Sequence, residues 1–244
     1  MKFDRKTYFN YVRDALFLGE MEQSQVDGQD AILTVWETYR ADQDPRFLAY
    51  MLATTYHETS QEMMPIEEYG KGAGMEYGTV DPETGQTYYG RGFVQLTWRD
   101  NYARADKEIL ASFGFNPDCE AVADNALDPK IAAAVMFLGM EQGWFRGDSN
   151  GRQTLYRYFN DEIDDAYQAR EIINGDKTKV PDWSHGVSIG NLIRGYHEEF
   201  LEALARASAE AVPEPSSEPL AVSVAIEAPE GVSVRISLNG RDVI

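Results

Sequence analysis

Glu58, Glu67 and Glu68 are the residues of this chain whose types and spacing could do chemistry. Glu58 follows His57 near the end of a predicted helix, whereas Glu67 and Glu68 lie where that helix gives way to a loop. An acid on a helix and a base on a loop can face each other across a groove with a sugar between them. Carboxyl groups roughly 6.5–9.5 Å apart leave room for a water and invert the anomeric carbon, while about 5 Å gives retention. The alternative is that the adjacent glutamates are solvated surface.

Glu58 has the sequence context of a general acid. It lies seven residues after Met51 and eleven after Phe47, on the apolar face of the predicted helix. A carboxyl group there is partly desolvated and feels the negative end of the helix dipole, and both effects favour its protonated form. Such a group could donate to a glycosidic oxygen. The alternative is a boundary glutamate that pairs with a basic neighbour.

The dipeptide His57-Glu58 also begins a possible zinc-peptidase motif. That motif needs a second histidine four residues after the first, and this position is Gln61. His185 and His197 remain, but no acidic or thiol cluster accompanies them in the sequence. We therefore expect no metal site and no cofactor.

A glycine-flanked, aromatic and amide-rich run extends from Tyr88 to Trp98. The glycines of Gly90-Arg91-Gly92 permit close backbone approach, and Gln95 and Thr97 then alternate with apolar residues. Asn101 follows, so these polar side chains could line one face and bind sugar hydroxyls, while Trp98 and the tyrosines offer stacking surfaces. The alternative is a buried strand whose amides are satisfied within the protein.

The charge balance excludes several classes of partner. The 244 residues include 22 basic and 41 acidic ones, for a formal charge of −19. Nucleic-acid binding needs clustered Lys and Arg, and an anionic membrane would repel such a surface, so we expect neither partner. A neutral polymer fits better. Because Cys119 is the only cysteine, no internal disulfide can form, which is typical of proteins that fold in a reducing compartment.

Apolar periodicity predicts a mainly α fold over residues 1–208. Asp44-Pro45 opens the helix that carries Glu58, and Ser24 is a candidate cap for the helix before it. From Gly70 to Gly92, seven glycines predict a long loop or short hairpin. The later helices are predicted at residues 101–113, 130–141, 154–159, 164–173 and 189–207.

Two further segments follow the helical domain. Residues 209–220 form a Pro/Glu-rich linker, and residues 221–244 contain two alternating runs, at 222–226 and 232–236, that predict a β-hairpin tail. Since an isolated hairpin is marginal in water, we expect the tail to dock on the main domain or pair with another chain.

The motifs together resemble the family 19 chitinases and phage endolysins of the lysozyme-like superfamily. The resemblance covers roughly residues 45–200, in the family's order. The matching pieces are His57-Glu58-Thr59, Pro65-Ile66-Glu67-Glu68-Tyr69-Gly70, Tyr89-Gly90-Arg91-Gly92-Phe93-Val94-Gln95-Leu96-Thr97, Asn101-Tyr102 and Ile172-Ile173-Asn174-Gly175. It implies a two-lobed helical domain with a small β region, which the short predicted β tail then follows.

The resemblance also implies residue roles and a metal-free inverting mechanism. Glu58 would be the general acid and Glu68, with Glu67 as second choice, would activate a water held by Thr97. It implies that Gln95, Asn101 and Asn174 bind sugar, and we add as candidate substrate-binding residues His57, Tyr89, Arg91 and Trp98. The chain departs from the family where Asp176, and not a second glycine, follows Gly175.

We therefore predict hydrolysis of β-1,4 bonds in an N-acetylhexosamine polymer. Peptidoglycan is favoured over chitin because the compact, disulfide-free chain resembles the phage enzymes more than the plant ones. The alternatives are a chitinase and a non-catalytic sugar-binding or structural virion protein. Residues 1–6 lack the apolar core of a signal peptide, so we expect a protein made in the cytoplasm that reaches the wall through a separate pore or within a phage particle.

Overall fold

A computed structural model of the chain describes residues 2–208 and the backbone of residues 237–238 and 241–242. The chain forms two compact units, Met1–Glu210 and Ala211–Ile244. Within the described range of the first unit, no helix has both the length and the apolar character that a membrane span requires.

The first unit is mainly α-helical, as predicted. Its strands are two short antiparallel pairs, β1 with β2 and β3 with β4. The helices are α1 Arg5–Leu16, α2 Gln23–Tyr39, α3 Pro45–Glu58, α4 Arg99–Phe113, α5 Pro129–Gln142, α6 Leu155–Tyr158 and α7 Ile189–Ser208. The strands are β1 Ile66–Glu67, β2 Arg91–Gly92, β3 Gly147–Asp148 and β4 Gly151–Arg152.

Helix α3 is the central element of the fold. Every residue from Phe47 to Tyr56 is buried, and α3 packs chiefly against α7. The helix begins as predicted, because the Asp44 side chain accepts from the backbone N–H of Arg46 and Pro45 occupies the first turn. It ends at Glu58, and the positive φ angles of Ser60 (+50°) and Gln61 (+73°) turn the chain away. Its carboxyl end thus places Glu58 beside the following loop.

Helix α2 begins two residues earlier than a cap at Ser24 would allow. The cap is Glu22 and not Ser24, because Glu22 and Gln25 form a reciprocal capping box. Further along, a Cβ atom on Gly28 would lie 1.8 Å from the carbonyl oxygen of Met63. Glycine at position 28 therefore allows α2 to pack directly on the backbone that follows α3.

The β1–β2 pair and the loop between its strands form the second half of the site. The register joins Glu67 to Arg91 and Ile66 to Gly92. The connecting loop, predicted from its glycines, consists of turns with one short 3-10 turn at Glu76–Gly78. The loop therefore brings the Tyr88–Trp98 run next to β1, the strand that follows α3.

The later chain contains one helix prediction that the structure contradicts. The helix predicted at residues 164–173 is instead a 3-10 turn at Gln168–Ile172, so that prediction was wrong in type.

The hairpin predicted at 222–226 and 232–236 lies outside the described residues. The four described residues of the second unit form an antiparallel pair, β5 Ser237–Leu238 with β6 Arg241–Asp242.

Candidate active site

Glu58 occupies the last position of α3 and contacts the buried guanidinium of Arg170. The Glu58 side chain is 18% exposed and that of Arg170 only 3%. Nη1 of Arg170 donates to Oε1 of Glu58, while Nε of Arg170 donates to Oδ1 of Asp176 at 2.7 Å. One guanidinium therefore holds two carboxylates, and it fixes the orientation of the Glu58 side chain.

The pairing bears on both interpretations of Glu58 drawn from the sequence. The guanidinium is shared with a second carboxylate, Asp176. Pairing with a basic residue was the alternative drawn from the sequence, and the structure contains that pair together with the partial burial expected of an acid.

Glu67 lies on β1, where two donors hold it in its ionised form. Nζ of Lys71 is 2.8 Å from Oε2 of Glu67, and the hydroxyl of Tyr89 donates to Oε1 at 2.5 Å. The hydrogen bond from Lys71, followed by that from Tyr89, holds the pKa of Glu67 below its ordinary value. An ionised carboxylate is what a general base requires.

Glu68 lies on the opposite side of the chain from Glu67 and has different partners. Its Oε2 accepts from the backbone N–H of Gly90 at 3.1 Å, and its Oε1 accepts from the hydroxyl of Tyr77 at 3.2 Å. Both donors are neutral. Glu68 is therefore oriented by the glycine segment before β2, without a lysine partner like that of Glu67.

The amide and hydroxyl side chains after β2 are largely occupied by backbone groups. Nε2 of Gln95 donates to the carbonyls of Ile66 (3.2 Å) and Gly92 (3.3 Å), and the hydroxyl of Thr97 donates to the carbonyl of Gln95 at 2.8 Å. The side chain of Asn101 donates to the carbonyl of Thr97 at 2.8 Å. These contacts fix the three side chains, all of them half-buried, and the bond to Ile66 joins Gln95 to β1.

Arg91 does not lie where the sequence led us to expect. Its side chain is 3% exposed, and its guanidinium stacks 3.7 Å from the centroid of the Tyr89 ring. Nη1 donates to the carbonyl of Thr87 at 2.8 Å and to the hydroxyl of Tyr102 at 3.1 Å. The expected sugar-binding role of Arg91 is corrected accordingly, since its donors serve the protein interior and hold Tyr89 in place.

The remaining predicted site residues divide between the two sides of the site. Trp98 is 45% exposed and packs edge to face on Tyr77 at 5.1 Å, on the side of Glu68. His57 is half-buried beside Glu58, and burial together with the nearby Arg170 charge lowers its pKa. Asn174 is exposed, and its backbone N–H donates to the carbonyl of Arg170 at 3.0 Å.

Comparisons with known proteins give the fold. No family model matches the chain. Over 87 residues it is 36% identical to an endochitinase of Arabidopsis thaliana, a match that covers 35% of this chain and 30% of the plant protein. The chain therefore spans well under two thirds of that relative.

Solved structures match over most of the chain. Chitinase C from Streptomyces griseus HUT6037 is 16% identical, with 84% of this chain and 76% of that chain covered and a TM-score of 0.50. A bacterial family 19 chitinase is 19% identical, with 82% and 94% covered and a TM-score of 0.52. This chain has the fold of the family 19 chitinases. The resemblance predicted from the motifs is confirmed at that level.

Within this family 19 chitinase fold, four residues around the three glutamates were not predicted from the sequence. Arg170 contacts Glu58 and is itself paired with Asp176, Lys71 contacts Glu67, and Tyr77 contacts Glu68. Asp176 had a visible signal, because it replaces the glycine that the family pattern has after Gly175. Lys71 had a weaker one, four residues after Glu67 on a tight turn.

The site contains carboxylates but no recognisable metal cage. In the described part of the chain, no three His, Cys, Asp or Glu side chains lie close enough to hold one ion. The charged partners of the three glutamates are Arg170 and Lys71. Carboxyl side chains such as these three can donate or accept a proton.

Proposed function

We propose that this protein is a glycoside hydrolase that cleaves β-1,4 bonds of an N-acetylhexosamine polymer with inversion. The observation that carries the proposal is that, on the family 19 fold, the candidate glutamates lie in different environments. Glu58 is partly buried at the end of α3, and the ionised Glu67 lies on β1 beside Glu68. Two carboxylates in different environments can take the acid and base roles.

In the proposed mechanism Glu58 is the proton donor. Its carboxyl group protonates the glycosidic oxygen as the bond to the anomeric carbon breaks. Arg170 orients the Glu58 side chain, and Asp176 holds the guanidinium in place. Arg170 and Asp176 are thus positioning residues.

The base is one of the two β1-loop glutamates. It accepts a proton from a water that attacks the opposite face of the sugar ring, and Thr97 orients that water. The family motif that includes Tyr69-Gly70 supports Glu68. Glu67 is the alternative, although its bond to Lys71 lowers its pKa and makes it a weaker base than an ordinary glutamate. Gln95, Trp98, Asn101 and Asn174 bind the sugar in this proposal.

Two substrates fit the proposed reaction. The names of the similar proteins, an endochitinase and bacterial chitinases, favour chitin. The compact chain with Cys119 as its only cysteine favours peptidoglycan, since no disulfides like those of secreted plant enzymes can form. Both polymers present β-1,4-linked N-acetylhexosamines, so the same site serves either.

The decisive experiment compares products from the two polymers. The wild type is incubated with N-acetylglucosamine oligomers and with purified peptidoglycan, and mass spectrometry identifies the released fragments. Glu58→Gln should abolish turnover, whereas the matched control Glu62→Gln, an exposed glutamate just beyond α3, should retain it. NMR of the first product should show the inverted anomer. A wild type that binds these polymers without cleaving them would instead be a sugar-binding protein.

A further inference from the structure

A cavity of about 220 Å³ lies next to the proposed acid, and of its lining residues only His57 has been given a role above. Its lining combines aromatic rings with small polar side chains. The residues are Tyr56, His57, Ser60, Gln61, Trp183 and Tyr196, which we call the Trp183 pocket. The cavity is smaller than the roughly 300 Å³ typical of pockets for drug-sized ligands, so it suits one sugar ring.

Trp183 is presented to solvent from a well-anchored segment. Its side chain is 61% exposed on the 3-10 turn Asp182–Ser184. The buried Ser184 donates from its hydroxyl to the carbonyl of Pro181 at 2.7 Å, and the backbone N–H of Val187 donates to the carbonyl of Ser184 at 3.1 Å. The turn is therefore held by its own hydrogen bonds, and the indole remains free to stack.

The wall opposite Trp183 belongs to the helical core. Tyr56 and Tyr196 pack edge to face at 4.7 Å, and the Tyr56 hydroxyl donates to the carbonyl of Leu16 at 2.6 Å. Tyr56 is buried and joins α3 to the end of α1. This wall is fixed before any ligand binds.

His57 connects the pocket with the proposed acid. Its ring centroid lies 6.5 Å from that of Trp183, and it is the residue directly before Glu58. The lowered pKa of His57 keeps the imidazole neutral near pH 7, so that the ring can both donate and accept a hydrogen bond. The pocket therefore offers neutral polar groups and aromatic faces beside the reaction centre.

We propose that the Trp183 pocket binds one N-acetylhexosamine unit of the polymer, with the indole of Trp183 stacked on the apolar face of the sugar. The inference rests on the proposed hydrolase function and adds a binding residue to it. Sugar rings present C–H groups on one face and hydroxyl or acetamido groups at the edge. Trp183 suits the former, whereas His57, Ser60 and Gln61 suit the latter.

The test measures how Trp183→Ala changes KM. On the hexamer of N-acetylglucosamine, or on glycan strands if only peptidoglycan is cleaved, KM should rise about tenfold, a factor that corresponds to about 1.4 kcal/mol. Because the pocket lies next to Glu58, the shortest fragment that is cleaved occupies it as well, and KM should rise on that fragment too. Trp183→Tyr should recover most of the affinity. Val180→Ala, an exposed apolar residue on the same segment outside the pocket, is the matched control.

The outcomes separate this inference from the proposed function. If Trp183→Ala and Val180→Ala have equal KM values at every substrate length, the pocket does not bind sugar even though the enzyme is active. Calorimetry on Glu58→Gln, with and without Trp183→Ala, reports binding independently of turnover. A wild type that cleaves none of the polymers would refute the proposed function, while loss of affinity on removing Trp183 would still support the pocket.

Discussion

The guanidinium of Arg170 donates to the carboxylate of Glu58, although 112 positions separate the two residues in the sequence. Arg170 is almost completely buried, and its other donors are directed to Asp176. Asp176 therefore holds the guanidinium that orients the Glu58 side chain. A substitution at Asp176 can loosen that arrangement while Glu58 itself is left untouched.

Asp176→Asn should lower kcat and leave KM near the wild-type value. Asparagine cannot form the ion pair with Arg170, so the guanidinium that orients Glu58 is held less firmly. A small misplacement of the proton donor should lower kcat by about 10- to 100-fold, which steady-state kinetics on the cleaved polymer measures. Asp176→Glu, which keeps the charge, should recover part of the activity.

The control is Asp161→Asn, which removes the same charge from an exposed position. Its kcat and KM should equal those of the wild type. An Asp176→Asn variant with wild-type kcat would show that Asp176 does not position the proton donor.

The sequence predicted the helices of this fold well, and local signals explain why. Asp44-Pro45 marks the start of α3, and apolar spacing marks its buried face. The partner of Glu58 was beyond reach, because no local pattern connects α3 with a 3-10 turn around residue 170. The possibility of a basic partner was stated from the sequence, but its identity required the fold.

Arg91 shows a different error, in which every residue of a motif was interpreted as a binding residue. Its flanking glycines indicated that the backbone could be approached closely there. In the structure a Cβ on Gly92 would lie 3.1 Å from the carbonyl oxygen of Ala126, and one on Gly90 would lie 2.7 Å from Oε1 of Gln95. The glycines therefore permit packing within the protein, and a motif that is specific for a fold contains structural residues as well as binding ones.

Glu67→Gln and Glu68→Gln should identify the base. Substituting the residue that activates water should lower kcat by about 10²-fold or more, since general-base catalysis contributes roughly 10²–10⁴. Azide, a nucleophile that needs no deprotonation, should restore turnover in that variant and yield a glycosyl azide of inverted configuration. Glu67 is paired with Lys71, whereas Glu68 accepts from neutral donors only, so we expect this behaviour from Glu68→Gln.

The two variants act as controls for each other. Glu67→Gln should show a smaller loss and no azide rescue, because Glu67 is held by Lys71 and Tyr89. Azide rescue of Glu67→Gln alone would assign the base to Glu67. Rescue of neither variant, with activity intact in both, would remove these glutamates from the mechanism.

Arg91→Lys should lower stability more than it changes substrate binding. A lysine cannot reproduce the fork of donors, so the carbonyl of Thr87 and the hydroxyl of Tyr102 lose a partner, at about 1–3 kcal/mol for each buried group. Urea unfolding should show a loss of about 2–3 kcal/mol. Arg194→Lys, at an exposed position on α7, should be neutral. Full stability combined with a raised KM would return Arg91 to the sugar-binding residues.

His197 should make the protein less stable as the pH falls. Burial lowers its pKa to about 4, and the opposing influence of Asp44 and Asp164 is smaller. The unfolded chain, with an ordinary histidine pKa of about 6.5, binds a proton that the folded state does not bind. The stability that neutral His197 contributes is therefore present above pH 6.5 and is lost on acidification towards pH 4. The contribution lost between pH 7 and pH 4.5 is about 2–3 kcal/mol. Urea unfolding of His197→Gln should lack this component, while His185→Gln, at an exposed position, should keep it. Equal pH dependence in the wild type and His197→Gln would contradict the assignment.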